Sequence, residues 1–336
     1  MVQRLISANA SEIKRMSKEE LFQSIKASEG RVILSENVVV HPSVAGDITC
    51  AEMSKAYGAD MILLNVFDVN QPIVVAAYEG QYTAETCVPN DEVVHRLKEL
   101  VGLPIGMNVE PVDENLDLAS TRVSIEPGRK ASAATFKKAN ELGLDFILLT
   151  GNPGTGVTND LIAKNVALAK KHFDGIIIAG KMHSSGVDEP VVSLKSAEQF
   201  IEAGADIVLV PAVGTVWGID DQQVKEVVDF AHSKGKLVMS AIGTSQESAQ
   251  PEVIQAIGIR NKILGVDIQH IGDANMGLVG IENIKELSDA IRGKDILLLE
   301  WLVRLIVKKV NRGTNSENLN SCLMIFLLKN GILKEK

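Results

Sequence analysis

The chain has 336 residues, 46% of them apolar but only 4% aromatic, and a formal net charge of −9. That acidic balance, with no basic run interleaved with aromatics, argues against nucleic-acid binding. Three cysteines far apart (Cys50, Cys87, Cys322) exclude a disulfide framework and a CxxC metal site, and fit a reducing cytoplasm.

The N-terminus lacks the long apolar core of a signal peptide, and no run approaches the roughly 20 apolar residues of a membrane span. Residues 17–28 read as a helix, with Ser17 as N-cap and Glu20 completing a capping box. Its expected job is to plug the N-terminal mouth of a barrel. RVILSE (31–36) is the first strand and MILLNVF (61–67) the second. Between the second strand and the next helix lies a long segment, 68–90, with a candidate hairpin in PIVVAAYEG; loops of this length serve as lids or subunit contacts. A homo-oligomer therefore stays open.

PIGMNVEP (104–111) is the third strand, followed by a polar loop over 113–129. FILLTGN (146–152), GIIIAGK (175–181), DIVLVPAVG (206–214), KLVMSAIG (236–243) and DIQHIGD (267–273) each follow an amphipathic helix. Helix after helix ends in glycine, as at Gly102 and Gly265, which suits a left-handed helix terminus. Eight strand–helix units predict an α/β fold, a single (β/α)8 TIM barrel with an N-terminal helical extension. Such barrels take roughly 250 residues. The expected organisation is the extension over 1–30, the barrel over 31–294 and an atypical tail over 295–336.

Two readings of that tail stand side by side. One is a C-terminal helix with a sticky end. The other is a reading-frame slip, because codons for Glu300–Val307 can be chosen so that the adjacent frame spells Arg-Met-Ala-Arg-Ser-Ile-Asn-Arg, an ordinary basic helix ending.

A barrel of this kind runs its chemistry at the C-terminal ends of its strands. The last two of these ends carry Gly243 and Thr244, then Gly272 and Gly277, and small residues there let backbone N–H groups approach a phosphate. Asn65 and Asn108 stand where Val or Leu is expected; with Thr150 and Asn152 they are candidate substrate contacts, or structural hydrogen-bonding groups. Glu36 and Glu110 are candidate acid–base groups. Glu36, Asp68 and Glu110 form a candidate Mg2+ site, since that cation takes carboxylates, water and substrate oxygens; the metal ligands proper would be Asp68 and Glu110. Lys181 is a candidate Schiff-base amine, a fixed positive charge or an exposed lysine. His183 beyond it is a candidate proton carrier. His41 lines the mouth or opens a turn, and Trp217 covers a ligand or anchors a loop. The glycine spacing matches no dinucleotide fingerprint and no Walker lysine is present, so no nucleotide cofactor is indicated.

At NVFDVN, NVEPVD, LLTGNPGTGV, AGKMHSSG, VPAVGTVWGI and SAIGTSQES the chain resembles a bacterial barrel family whose members sit beside sugar phosphotransferase genes and are distantly similar to the BtpA/SgcQ group. The resemblance spans about residues 1–294. Some members carry the labels haloacid dehalogenase-like hydrolase or phosphoenolpyruvate phosphonomutase-like protein. The first label fits poorly, since Asp68 is followed by Val69 and Asn70 rather than by a second Asp two residues on. The second fits a barrel, although AGKMHSSG only loosely echoes that superfamily's loop.

The expected function is an enzyme acting on a small phosphorylated sugar or keto acid by lyase, aldolase or isomerase chemistry, in the cytoplasm, with no nucleic-acid or membrane partner. The alternatives are a metal-dependent phosphohydrolase and a non-catalytic ligand-binding barrel.

Overall fold

The structure, a computed structural model, describes residues 3–118, 121–274 and 280–294. Gly277 and the 295–336 tail lie outside the described residues. Met1–Ile291 form one compact unit. Two helices, α1 (Ala10–Ile13) and α2 (Lys18–Lys26), precede the strands. The strands are β1 (Val32–Val38), β2 (Met61–Asn65), β3 (Ile105–Val109), β4 (Phe146–Leu149), β5 (Ile176–Gly180), β6 (Ile207–Pro211), β7 (Leu237–Ala241) and β8 (Ile268–His270). They pair in parallel in chain order, and β1 closes on β8 through Val32–Ile268 to Leu34–His270. The intervening helices are α3 (Cys50–Ala56), α4 (Val93–Val101), α5 (Ala133–Glu141), α6 (Asn159–His172), α7 (Leu194–Ala203), α8 (Asp221–Ser233) and α9 (Pro251–Leu264); α10 (Glu282–Arg292) comes after β8. The closed (β/α)8 barrel expected from the repeat is formed.

Strand residues alternate between two cores, as a period of two requires. Ile33, Ile62, Met107, Ile147, Ile177 and Val238 face the helices. Val32, Met61, Phe146, Ile176, Ile207, Leu237 and Ile268 fill the barrel interior, with Leu34, Leu63, Leu148, Ile178 and Met239 among the others packed there. Leu21 and Ile25 of α2 join this inner cluster, together with Leu5 and Ile6. The amphipathic N-terminal helix thus plugs the base of the barrel. Ser17 caps it as expected, accepting from Glu20 N–H while its own N–H donates to the Glu20 carboxylate.

The base is stapled by one device used four times. Asp60, Asp145, Asp206 and Asp267 each precede an even-numbered strand. The carboxylate of each accepts the N–H of a residue on the preceding odd strand: Ile33 at 2.7 Å, Ile105 at 2.8 Å, Ile177 at 3.1 Å and Val238 at 2.9 Å. Each aspartate N–H donates back to the carbonyl of the same residue. In the sequence each of these aspartates stands two residues after a helix-ending glycine (Gly58, Gly143, Gly204 and Gly265), and this Gly-x-Asp junction is a reciprocal clamp between neighbouring strands. Gly102 closes α4 in the left-handed conformation, φ +61°, where a Cβ would also strike Ala10.

The hairpin expected in PIVVAAYEG does not form. The segment is irregular, and Val74, Val75 and Ala77 are buried. Its N–H groups find single carbonyls, Val75 to Val39 and Ala76 to Gln81. Burial of its apolar run against the outside of the barrel replaces strand pairing.

Candidate functional site

The alternation that packs Val32 and Leu34 inside carries Glu36 inward at the mouth of β1. The same parity places Asn65 on β2, Asn108 and Glu110 on β3, Thr150 after β4 and His270 on β8. These side chains are all buried. The barrel is therefore apolar at its base and polar at its C-terminal end, the end where barrels of this class run their chemistry.

Two networks organise this polar layer. In the first, Asn108 Nδ2 donates to Glu36 Oε1 at 2.9 Å. Glu36 Oε2 lies 3.1 Å from His270 Nε2, without hydrogen-bond alignment. The N–H of Gly272 donates to His270 Nδ1 at 2.9 Å, so a neutral ring carries its proton on Nε2, facing Glu36. In the second network, Glu110 accepts from Arg129 Nη2 at 2.9 Å, from Asn152 N–H at 2.8 Å and from Asn152 Nδ2 at 2.8 Å. Asn152 and Asn65 exchange side-chain amide hydrogen bonds at 3.1 and 3.2 Å. Asn65 Oδ1 also accepts from Val66 N–H, and Val66 is held at φ +59°, a rare conformation for a β-branched residue.

Asn108 Oδ1, Thr150 Oγ1 and His270 Nε2 are buried without a hydrogen-bond partner. Leaving such a group unsatisfied costs about 1–3 kcal/mol. Three of them on one layer distinguish it from a packed core, where such groups are almost always paired, and make it the candidate site.

Around this layer lie Glu247 and Asp273. Burial, and then the carboxylates nearby, raise both above the usual carboxylate range; Glu36 acts on both, and Asp273 also acts on Glu247. Exposed His41 on the rim is near enough to Asp273 to oppose that rise. His183 is half-buried, and burial pushes its imidazole below the ordinary histidine value, with Glu36 and Glu110 opposing and Lys181 adding to the shift. Its Nδ1 accepts from Ser185 N–H at 3.0 Å.

Lys181 is not brought into this layer. Ala179 faces the helices and Met182 the interior, so alternation sets Lys181 outward. Its side chain is fully buried, and its Nζ is 2.8 Å from Glu189 Oε1. The same oxygen accepts the N–H of Asn159 at the start of α6, at 2.7 Å. Burial lowers the ammonium's pKa, and Glu189 opposes that.

A Mg2+ site built on Glu36, Asp68 and Glu110 does not fit the residues present. Asp68 Oδ1 accepts from Asn70 N–H at 2.8 Å, and a Cβ on Gly128 would sit 1.7 Å from it. Both oxygens of Glu110 are committed to Arg129 and Asn152. Among the described residues no group of three or more His, Cys, Asp or Glu is arranged to hold a metal ion.

The glycine turns divide. Gly272 is at φ +65°, where a Cβ would meet Ile242 O at 2.6 Å, and its N–H serves His270. After β7, the N–H groups of Gly243, Thr244 and Ser245 have no acceptor among the described residues. Thr244 and Ser245 are both left-handed, at φ +60° and +68°. The Thr244 hydroxyl is near the carbonyls of Thr215 and Gly243, at 2.5 and 2.6 Å. Trp217 is 98% exposed and neither anchors its loop nor covers the mouth.

Sequence reasoning missed His270, Arg129, Glu189, Glu247 and Asp273. His270 had a signal: like Asn65 and Asn108 it is a polar residue near the C-terminal end of a strand, on the inward parity set by Ile268. Arg129 and Glu189 come from long loops whose paths no local pattern reveals.

The fold and the polar mouth define a (β/α)8 barrel with a buried layer of ionisable and amide side chains at its C-terminal end. The chain belongs to the family described as Domain of unknown function (DUF7916), which matches residues 6–298. No curated protein matches the sequence. Among solved structures, an archaeal fructose 1,6-bisphosphate aldolase is 14% identical with a TM-score of 0.50, covering 82% of this chain and 98% of its own. A 2,3-dimethylmalate lyase of the PEP mutase/isocitrate lyase superfamily is 12% identical with a TM-score of 0.46, covering 90% and 92%. Thiamine phosphate pyrophosphorylase from Pyrococcus furiosus is 14% identical with a TM-score of 0.45, covering 81% and 99%. At these identities the likeness is one of fold. Among the described residues no helix is long and apolar enough to cross a membrane.

Proposed function

We propose that the protein is an enzyme that moves a proton on a small phosphorylated sugar or phosphorylated keto acid, in lyase, aldolase or isomerase chemistry. The observation that carries this reading is the buried Glu36 carboxylate, held by Asn108 and set beside the Nε2–H of His270. A fixed carboxylate removes a proton from carbon next to a carbonyl, and a neutral imidazole N–H holds the oxygen on which charge develops. Glu110, locked by Arg129 and Asn152, sets the shape of the mouth beside them. His183, whose imidazole burial holds below the ordinary histidine value, stands near Glu36 and Glu110 as a candidate proton carrier at the rim. The phosphate would be received by the unpartnered N–H groups of Gly243, Thr244 and Ser245.

Solvent deuterium exchange tests this. The protein is incubated in D2O with a panel of sugar phosphates and phosphorylated keto acids, and loss of carbon-bound protons is tracked by NMR. Exchange that disappears in Glu36→Gln supports the reading. Binding without exchange across the panel points instead to a ligand-binding barrel.

A further inference from the structure

The unpartnered atoms of the mouth layer are directional. Asn108 Nδ2 is fixed toward the Glu36 carboxylate, which accepts only, so the free atom of that amide is the acceptor Oδ1. Thr150 Oγ1 donates or accepts. His270 Nε2 carries a proton and donates. With Glu36 and Asn65 these groups form an arc running from β8 through β1, β2 and β3 to the end of β4. The N–H groups after β7 lie at the other end of that arc.

The cations at neighbouring strand ends are committed elsewhere. Lys181 Nζ is sealed against Glu189 at 2.8 Å. The Arg129 guanidinium spans Glu110 and Glu126 at 2.9 and 3.0 Å. A ligand carboxylate in the arc would face Asn108 Oδ1 and the Glu36 carboxylate, with no proton to give either. A ligand hydroxyl donates to Asn108 Oδ1 or Glu36 and still accepts from Thr150 or His270.

We propose that this arc binds the hydroxyl-bearing carbons of a phosphorylated sugar or polyol and discriminates against phosphorylated keto acids. The inference rests on the enzyme reading and selects between its two substrate classes.

Calorimetric titration of the full chain tests it, with glucose 6-phosphate, ribose 5-phosphate, phosphoenolpyruvate, 3-phosphohydroxypyruvate and inorganic phosphate as the probes. At least one sugar phosphate is expected to bind about tenfold more tightly than either acid. Thr150→Val should weaken that sugar phosphate by about tenfold, Thr150→Ser should restore it, and inorganic phosphate should be unchanged in both. Tighter binding of either acid, equal loss of sugar phosphate and inorganic phosphate in Thr150→Val, or no binding by any probe overturns the proposal. The two readings fail separately. Exchange on a keto acid alone would keep the enzyme and remove the sugar, whereas a sugar phosphate that binds by this pattern without exchange would keep the sugar and remove the enzyme.

Discussion

Glu36 Oε2 and His270 Nε2 lie 3.1 Å apart across the β1–β8 seam, so closure of the barrel is what brings the first and last strands' functional groups together. Glu36→Gln keeps the size of the side chain and one acceptor oxygen for Asn108 Nδ2, and removes its charge and basicity. Exchange activity should fall by about 100- to 10,000-fold, the usual contribution of a positioned acid–base group. His270→Asn should lower activity while leaving phosphate affinity intact. If Glu36→Gln exchanges at the wild-type rate, Glu36 is not the base.

Lys181 invites a different expectation from its position at a strand end. Its ammonium is turned behind the wall of the barrel and held by Glu189. Lys181→Met fills similar volume without the charge, and Glu189 keeps the N–H of Asn159. The variant should lose about 1–3 kcal/mol of stability, read by urea denaturation, and keep its exchange activity. Abolished exchange in a folded Lys181→Met protein would return the lysine to the chemistry.

Glu247 and Asp273 give the fold a pH signature. Burial is the largest cause raising both, with nearby carboxylates adding to it. The native state therefore holds their protons more strongly than the unfolded chain does, whose values lie near 4.5 and 3.8. The stabilisation from protonation is complete below those values and disappears as pH rises through the raised native ones. Glu247→Gln and Asp273→Asn cannot ionise. Each should gain stability over the wild type at neutral pH relative to acid, measured as Tm from about pH 3.5 to 8. Profiles parallel to the wild type would contradict the raised values.

The barrel was legible because its signals are local and repeated. Apolar runs of strand length, glycine helix ends and the Gly-x-Asp junctions each encode one neighbouring contact, and the aspartate clamps show what the junctions do. Asn65, Asn108 and Glu36 were legible for a related reason: a polar residue at an inward strand position must be satisfied or functional. The pairings at the mouth were not legible. Lys181 with Glu189 and Glu110 with Arg129 join a strand end to a loop, and local periodicity carries no information about loop paths. The expected hairpin in 68–90 failed because an apolar run bounded by turns reads the same whether it pairs as a strand or is buried as irregular chain.

Gly106 sits in the middle of β3, where glycine weakens a strand unless something needs the space. Its register partner on β4 is Phe146, and a Cβ on Gly106 would come within 2.3 Å of that ring. The ring is fully buried and belongs to the inner core, so it has nowhere to retreat. Gly106→Ala should therefore destabilise the protein by about 1–3 kcal/mol through overpacking, despite the better strand propensity of alanine. Phe146→Leu alone should destabilise by leaving space unfilled. Combined with Gly106→Ala it should cost less than the sum of the two single changes, because the new methyl occupies the volume that the ring gives up. Strict additivity in urea denaturation would show that the glycine is there for another reason.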